Sequence, residues 1–156
     1  MLYKSKTFEG HGSPIDGLDS ICQKWHQCRS CTTIDDGSCN PNQTPYEVGF
    51  DPTTMRIDCQ FNNNDCAINS CKCDEELAFE IVANLNEMSN NAITNSDGSG
   101  FDHANNCQAA TGTNNNGGNN GPSSTQCCGT YPNRVTYNTG KHDCCSNSFL
   151  ANIGGC

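Results

Sequence analysis

The sequence predicts a mainly α, disulfide-rich protein with two long helices, a long Asn/Gly loop and a short cystine-clamped C-terminal β-hairpin or turn. Three observations predict it. Fourteen of the 156 residues are cysteine. Two stretches carry apolar residues at helical spacing. Only 33% of residues are hydrophobic, with one Trp, four Tyr and six Phe. A core that small needs covalent help, and each bridge stabilises a fold by about 2–4 kcal/mol, chiefly by restricting the unfolded chain. A single domain over residues 1–156 is expected, since domains commonly run to about 100–150 residues.

The first helix lies between Ser13 and Cys31, where Leu18, Ile21, Cys22, Trp25 and Cys28 follow each other at three- and four-residue steps. Pro14 suits a helix entry, and Asp16 and Asp19 in the first turn complement the helix dipole. From Thr32 to Met55 the turn formers Asp36-Gly37, Asn40-Pro41-Asn42 and Asp51-Pro52 predict connection, with short strands near Tyr46 to Phe50. A second helix is predicted from Cys71 to about Met88, with Ala78, Ile81, Val82 and Leu85 on one face and Asp74, Glu75 and Glu76 in its opening turn. Beyond Asn90 the composition turns to Asn, Gly, Ser and Thr, and residues 112–122 are expected to be a flexible loop because they have too little apolar surface to offset ordering. Near the end, Cys127-Cys128 and Cys144-Cys145 bracket residues 131–137. Neighbouring strand residues point to opposite faces, so each twin can tie its segment to two elements.

So many cysteines belong in an oxidising compartment, which predicts a secreted, extracellular protein. A metal-binding role is disfavoured, because Cys28 and Cys31 form the only C-x-x-C pair. No run approaches a membrane span, and no signal-peptide core precedes Tyr3, so a mature chain whose leader has been removed is expected. Asn42-Gln43-Thr44 is an N-glycosylation sequon. A net charge of −9 argues against nucleic acid as a partner and against docking on anionic membranes.

The run Cys59-x6-Cys66-x4-Cys71-x-Cys73-Asp74 resembles the half-cystine spacing of secreted phospholipase A2. The entry to the first helix, Gly12-Ser13-Pro14-Ile15-Asp16-Gly17-Leu18-Asp19, is similar to that family's as well, and Cys28 follows Cys22 at the family's interval. The likeness runs from about Glu9 to Leu85. It has one paired departure: the family's twin cysteine is Ile21-Cys22 here, and the partner of the missing member falls at Glu80.

The resemblance implies two antiparallel, cross-linked helices, with bridges from Cys28 to Cys73, Cys59 to Cys71, and either Cys39 or Cys31 to Cys66. It leaves Cys22 without its usual partner, since Lys6 stands at that position, and Cys107, Cys127, Cys128, Cys144, Cys145 and Cys156 unassigned. It also implies a site. Family members hydrolyse a phospholipid ester with a water-activating His, a calcium-ligating Asp after it, a glycine-rich calcium loop and a buried Asp that orients the His. Here those positions are Trp25, His26, the glycine-free stretch Lys4 to Glu9, and Asp74. Indole accepts no proton, and imidazole is a poor ligand for a hard cation.

Asp74 is therefore expected to act as a helix cap, with Arg29 and Val48 replacing the tyrosines that hold the family's Asp. His11, Asp102-His103 and His142-Asp143 carry no site signal. The resulting expectation is a protein that is not an enzyme, with no catalytic residue, metal or cofactor. Its leading role is a non-catalytic structural or scaffold protein of an extracellular matrix or fibre, associating with itself or with other matrix proteins, as phospholipase-like domains do in animal matrices. The alternatives are a lipid- or protein-binding module that keeps a phospholipase-like pocket, with Trp25 lining it, and a diverged calcium-dependent phospholipase A2.

Overall fold

A computed structural model describes Pro14 and residues 17–85 and 124–156. The elements run α1 (Gly17–Asp35), β1 (Gly49–Asp51), β2 (Arg56–Asp58), α2 (Asp65–Ala83), β3 (Thr125–Cys128), β4 (Val135–Asn138), β5 (His142–Cys145) and β6 (Phe149–Asn152). The Asn/Gly loop at 112–122 lies outside the described residues.

Both helices differ from their predicted bounds. α1 continues one turn past Cys31, because Cys28, Cys31 and Thr32 carry the buried face onward at i, i+3 and i+4. It stops where Asp36 folds back to accept from the Ser38 backbone and hydroxyl at 2.9 and 2.6 Å, just after Gly37. α2 begins at Asp65 and not at Cys71. Its cap is Asn64, whose side chain accepts from the Ala67 backbone at 2.8 Å. Ala67, Ser70, Cys71 and Cys73 form its buried face, and Asn84 closes it by donating to Glu80 O.

Cys28 is bonded to Cys73, and Lys24 reaches Glu80 at 3.2 Å, so progress along α1 is retreat along α2 and the pair is antiparallel. Among the described residues the buried apolar set is mostly sulfur: of its ten members, only Ile21 and Ala67 are not half-cystines. Cys59–Cys71 and Cys39–Cys66 fix the connecting segment to α2. Cys31, left open as a partner of Cys66, is bonded instead to Cys127.

The short strands form three separate antiparallel pairs. β1 pairs with β2, Phe50 opposite Ile57. A Cβ at Gly49 would fall 2.1 Å from the ring of the exposed Phe61, so a larger residue there requires that ring to shift. Arg56 ties this hairpin to α2, bonding Glu75 and Glu76 and lying 4.4 Å from the Phe79 ring centre.

β3 pairs with β4, and β5 with β6. The twin cysteines divide between elements: Cys127 goes to α1 while Cys128 goes to Cys144, and Cys145 goes to Cys156. A second tie joins the C-terminal region to α1. Asp35 stands at the helix end, where the dipole disfavours a negative charge. Arg134 offsets this by pairing with both of its oxygens at 2.6 and 3.0 Å, and Tyr131 donates to it at 2.8 Å.

The Cys31–Cys127 bridge closes the longest interval, 96 residues, and Cys59–Cys71 one of the shortest, 12. Chain entropy makes a loop of about 100 residues worth roughly 4.7 kcal/mol and one of about 15 roughly 3. Replacing Cys31 and Cys127 together by Ala is therefore expected to lower the denaturant midpoint more than replacing Cys59 and Cys71. Equal midpoints would show that the long bridge adds no extra constraint.

Candidate functional site

The site sits between the helices around Asp74. This residue is in the middle of α2, ten positions beyond the Asn64 cap, so the expectation that it caps a helix is corrected. Its side chain is 24% exposed and faces α1. There the Trp25 indole N–H donates to Oδ1 at 2.6 Å, and Arg29 Nη1 reaches Oδ1 and Oδ2 at 2.6 and 2.7 Å. The Tyr46 hydroxyl donates to Oδ2 at 2.6 Å. A carboxylate has about four lone-pair positions, and these four contacts use them.

Trp25 and Arg29 are four residues apart and so share one face of α1. The Arg29 guanidinium carbon lies 5.2 Å from the Trp25 ring centre, and Nη2 continues to Pro41 O and, at 3.2 Å, to Asn42 Oδ1. Arg29 thereby links the carboxylate to the turn after α1. Val48 does not hold Asp74. It is 59% exposed, and the residue that reaches the carboxylate is Tyr46. Asn62 explains the placement: it accepts from the Glu47 backbone at 2.7 Å and donates to Glu47 O, pinning the chain just after Tyr46. The sequence signal for Tyr46 was its phenol, a donor two residues from the position inferred by alignment.

Burial, hydrogen bonding to Asp74 and repulsion from that carboxylate push the Tyr46 phenol up to about 12, partly opposed by Arg29. At Asp35, burial acts upward, but the bonds from Arg134 and Tyr131 outweigh it and hold the carboxyl below its usual value. Burial also raises Tyr131, with its bond to Asp35 acting in the same direction.

The three expected site residues separate into two groups. Trp25 and Asp74 meet, whereas His26 is exposed and turns toward a neighbouring polar cleft. An indole nitrogen donates and does not accept, so Trp25 holds Asp74 and takes no proton from water. Calcium chemistry would need several oxygen ligands. The family's ligand position is an imidazole here, and among the described residues no three His, Cys, Asp or Glu side chains group as a metal site. The described residues do not fit that ion.

Two clefts flank the network. One, of about 140 Å³, is mainly apolar and lies between the helices and β4, with Ile21, Trp25, Leu77, Pro132 and Val135 in its wall. The other, of about 470 Å³, is lined by Trp25, His26, Ser30, Thr33, Asn40 and Asn42 among others.

An antiparallel helix pair bridged by cystine, with a carboxylate held between the helices, defines a phospholipase A2-like domain. No family model matches the chain. Its sequence is 32% identical over 90 residues to phospholipase A2 of Ovis aries, covering 52% of this chain and 69% of the sheep protein. It is 35% identical over 70 residues to basic phospholipase A2 1 of Naja sagittifera, covering 45% and 53% of the two chains. It is 33% identical over 77 residues to phospholipase A2 of Oryctolagus cuniculus, covering 45% and 50%. The chain belongs to the phospholipase A2 family. It spans a little over half the length of the cobra and coral-snake relatives it matches.

These relatives correct the expectation that the protein is not an enzyme, since they bear the names of enzymes. That expectation rested on the side chains at positions 25 and 26. Substitution there describes two groups, whereas the matched sequence is that of named phospholipases.

Two measurements test the network. Asp74→Asn removes the charge that Arg29 faces in a partly buried setting, and is expected to cost about 1–3 kcal/mol of stability. Lys24→Ala, at an exposed ion pair, is expected to cost about 1 kcal/mol or less. Equal losses would mean that Asp74 is not the organising group.

The Tyr46 shift also has a sign. Its pKa is raised in the fold, so its contribution is complete below about pH 10 and lost as pH rises toward 12. Absorbance titration near 295 nm should therefore show a late phenol step that Tyr46→Phe removes. A Tyr46 step at the ordinary phenol value would contradict the assignment.

Proposed function

We propose that this phospholipase A2-family domain serves as a secreted structural or scaffold component of an extracellular matrix or fibre, assembling through protein–protein contacts. The observation that carries the reading is the β1–β2 hairpin. Val48, Phe50, Met55, Ile57 and Phe61 are grouped on and beside a two-stranded ribbon and are 39–72% exposed. On α2, Phe79, beside Arg56, and Val82 are also exposed. Grouped exposed apolar side chains of this kind mark interaction surfaces more often than solvent-facing ones.

Two charged residues of the hairpin have local partners. Asp51 accepts from Thr53 and Thr54, and Arg56 is paired with Glu75 and Glu76. Six disulfides among the described residues support a life in an oxidising compartment. No helix among the described residues is long and apolar enough to cross a membrane. The reading concerns the surface and is independent of chemistry at Asp74.

A second reading is favoured by the relatives' names: a diverged phospholipase A2 that acts on phospholipid esters. A third is favoured by the mainly apolar cleft at Ile21, Trp25 and Leu77, which suits a lipid-binding module.

Sedimentation velocity across a concentration series tests the first reading. Growing oligomers that Phe50→Ser with Ile57→Ser returns to monomer are the expected result, and a monomer at every concentration rules out self-assembly through the hairpin. Fatty-acid release from phosphatidylcholine vesicles, with calcium and with chelator, tests the second. Release that His26→Ala abolishes would establish hydrolysis and give His26 a role in it. Lysolipid titration followed by Trp25 fluorescence reports on the apolar cleft.

A further inference from the structure

The cleft on the Asn42 side of Trp25 has a composition that none of the readings above uses. Its wall combines one aromatic, Trp25, with the hydroxyls of Ser30 and Thr33, the amides of Asn40 and Asn42, and the His26 imidazole. Each hydroxyl and amide among them both donates and accepts, and His26 adds an imidazole. The one permanent charge in the wall is Arg29, whose Nη atoms are committed to Asp74, Pro41 O and Asn42 while its buried Nε has no hydrogen-bond partner.

The cleft is therefore close to neutral and polar, with an aromatic side. Its floor is held still. Asn40 Oδ1 accepts from the Asn42 backbone at 3.2 Å, Asn40 O accepts from the Gln43 and Thr44 backbones at 2.9 Å each, and Thr44 Oγ1 donates to the same carbonyl at 2.8 Å. The Cys39–Cys66 bridge anchors this turn to α2.

We propose that this cleft is a binding site for a neutral pyranose sugar. A pyranose has an apolar face of C–H groups that packs on an aromatic ring, and a rim of hydroxyls that need groups able both to donate and to accept. The Trp25 ring, which borders the cleft beside the Arg29 guanidinium lying 5.2 Å from its centre, is assigned the first requirement, and His26, Ser30, Thr33 and Asn40 the second. Acidic sugars fit poorly, because the molecule carries a net charge of −9 and the Arg29 charge is already paired with Asp74.

The sugar has two possible sources of one chemistry. One is a neutral extracellular polysaccharide, which would give the scaffold reading its partner; in that form the inference rests on that reading. The other is a glycan on Asn42, an exposed residue at the cleft edge in the sequon Asn42-Gln43-Thr44. In that case Asn42 Nδ2 displaces a lipid diphosphate from the anomeric carbon of a lipid-linked oligosaccharide. The C–N bond forms, the C–O electron pair leaves with the diphosphate, and one amide proton passes to the transferase.

Trp25 is the only tryptophan in the chain, so its fluorescence reports directly on the cleft. The unglycosylated, oxidised chain is titrated with a neutral N-acetylglucosamine oligomer and, separately, with a sulfated oligosaccharide. A saturable change in Trp25 emission with the neutral sugar alone is expected. Thr33→Arg, at a wall residue that makes no hydrogen bond to Asp74, should weaken it by about tenfold or more.

The chain secreted from eukaryotic cells behind a supplied signal sequence is weighed before and after endoglycosidase treatment. Added mass that Thr44→Ala removes and Thr44→Ser keeps, with Trp25 emission altered by trimming the glycan, identifies the chain's own sugar as the occupant. If secreted, fully oxidised protein carries no such mass and no neutral oligosaccharide perturbs Trp25, the site is refuted. Binding that Thr33→Arg leaves unchanged refutes its location. Sedimentation separates this from the scaffold reading, since a strictly monomeric protein that binds sugar overturns assembly and leaves the cleft intact.

Discussion

The Cys28–Cys73 bridge sets the separation of α1 and α2, with Cα atoms 5.8 Å apart, and the rest of the described structure depends on that distance. An ordinary helix pair is held by interdigitating Leu, Ile and Phe. Here eight half-cystines dominate the buried set, and large apolar side chains such as Phe79 and Val82 are on the outside. Covalent constraint substitutes for hydrophobic area, which explains how a chain so rich in Asn and Gly keeps two long helices together.

Once the helices are set, Asp74 becomes a carboxylate facing the other helix, and such a group is costly unless paired. Trp25, Arg29 and Tyr46 supply the pairing from α1 and from the segment after it. The same network extends through Arg29 to Pro41 and Asn42, so the turn that shapes the polar cleft is fastened to the centre of the molecule. Trp25 is shared by both clefts. Its indole N–H anchors the core while its ring forms a wall, and a change at this residue is transmitted to stability and to both surfaces.

The C-terminal hairpins follow the same logic at longer range. Twin cysteines send one sulfur to each of two partners, which a period-two strand permits without twisting the backbone. Arg134 adds a charged clasp at Asp35, a residue whose position at a helix end would otherwise be unfavourable. Membership of the phospholipase A2 family accounts for the helix pair and its bridges. The family resemblance read from the sequence ran only from about Glu9 to Leu85, and it gave no pairing for the C-terminal cysteines.

By itself the sequence determined the two helices and the family, because helical periodicity and cysteine spacing are properties of position along the chain. The side chains at positions 25, 26 and 74 were legible for the same reason. The start of α2 at Asn64 was equally local, written in a capping residue, but the cysteine pattern drew attention to Cys71 instead. What only the tertiary structure decided was who meets whom. Cys31 chooses Cys127 across 96 residues, and Tyr46, not Val48, reaches Asp74, because those partners lie on different elements and their meeting depends on how the elements pack. The role of Asp74 changed for that reason: its sequence neighbours suggested a helix start, and the packing of α1 against α2 made it the anion around which the site is built.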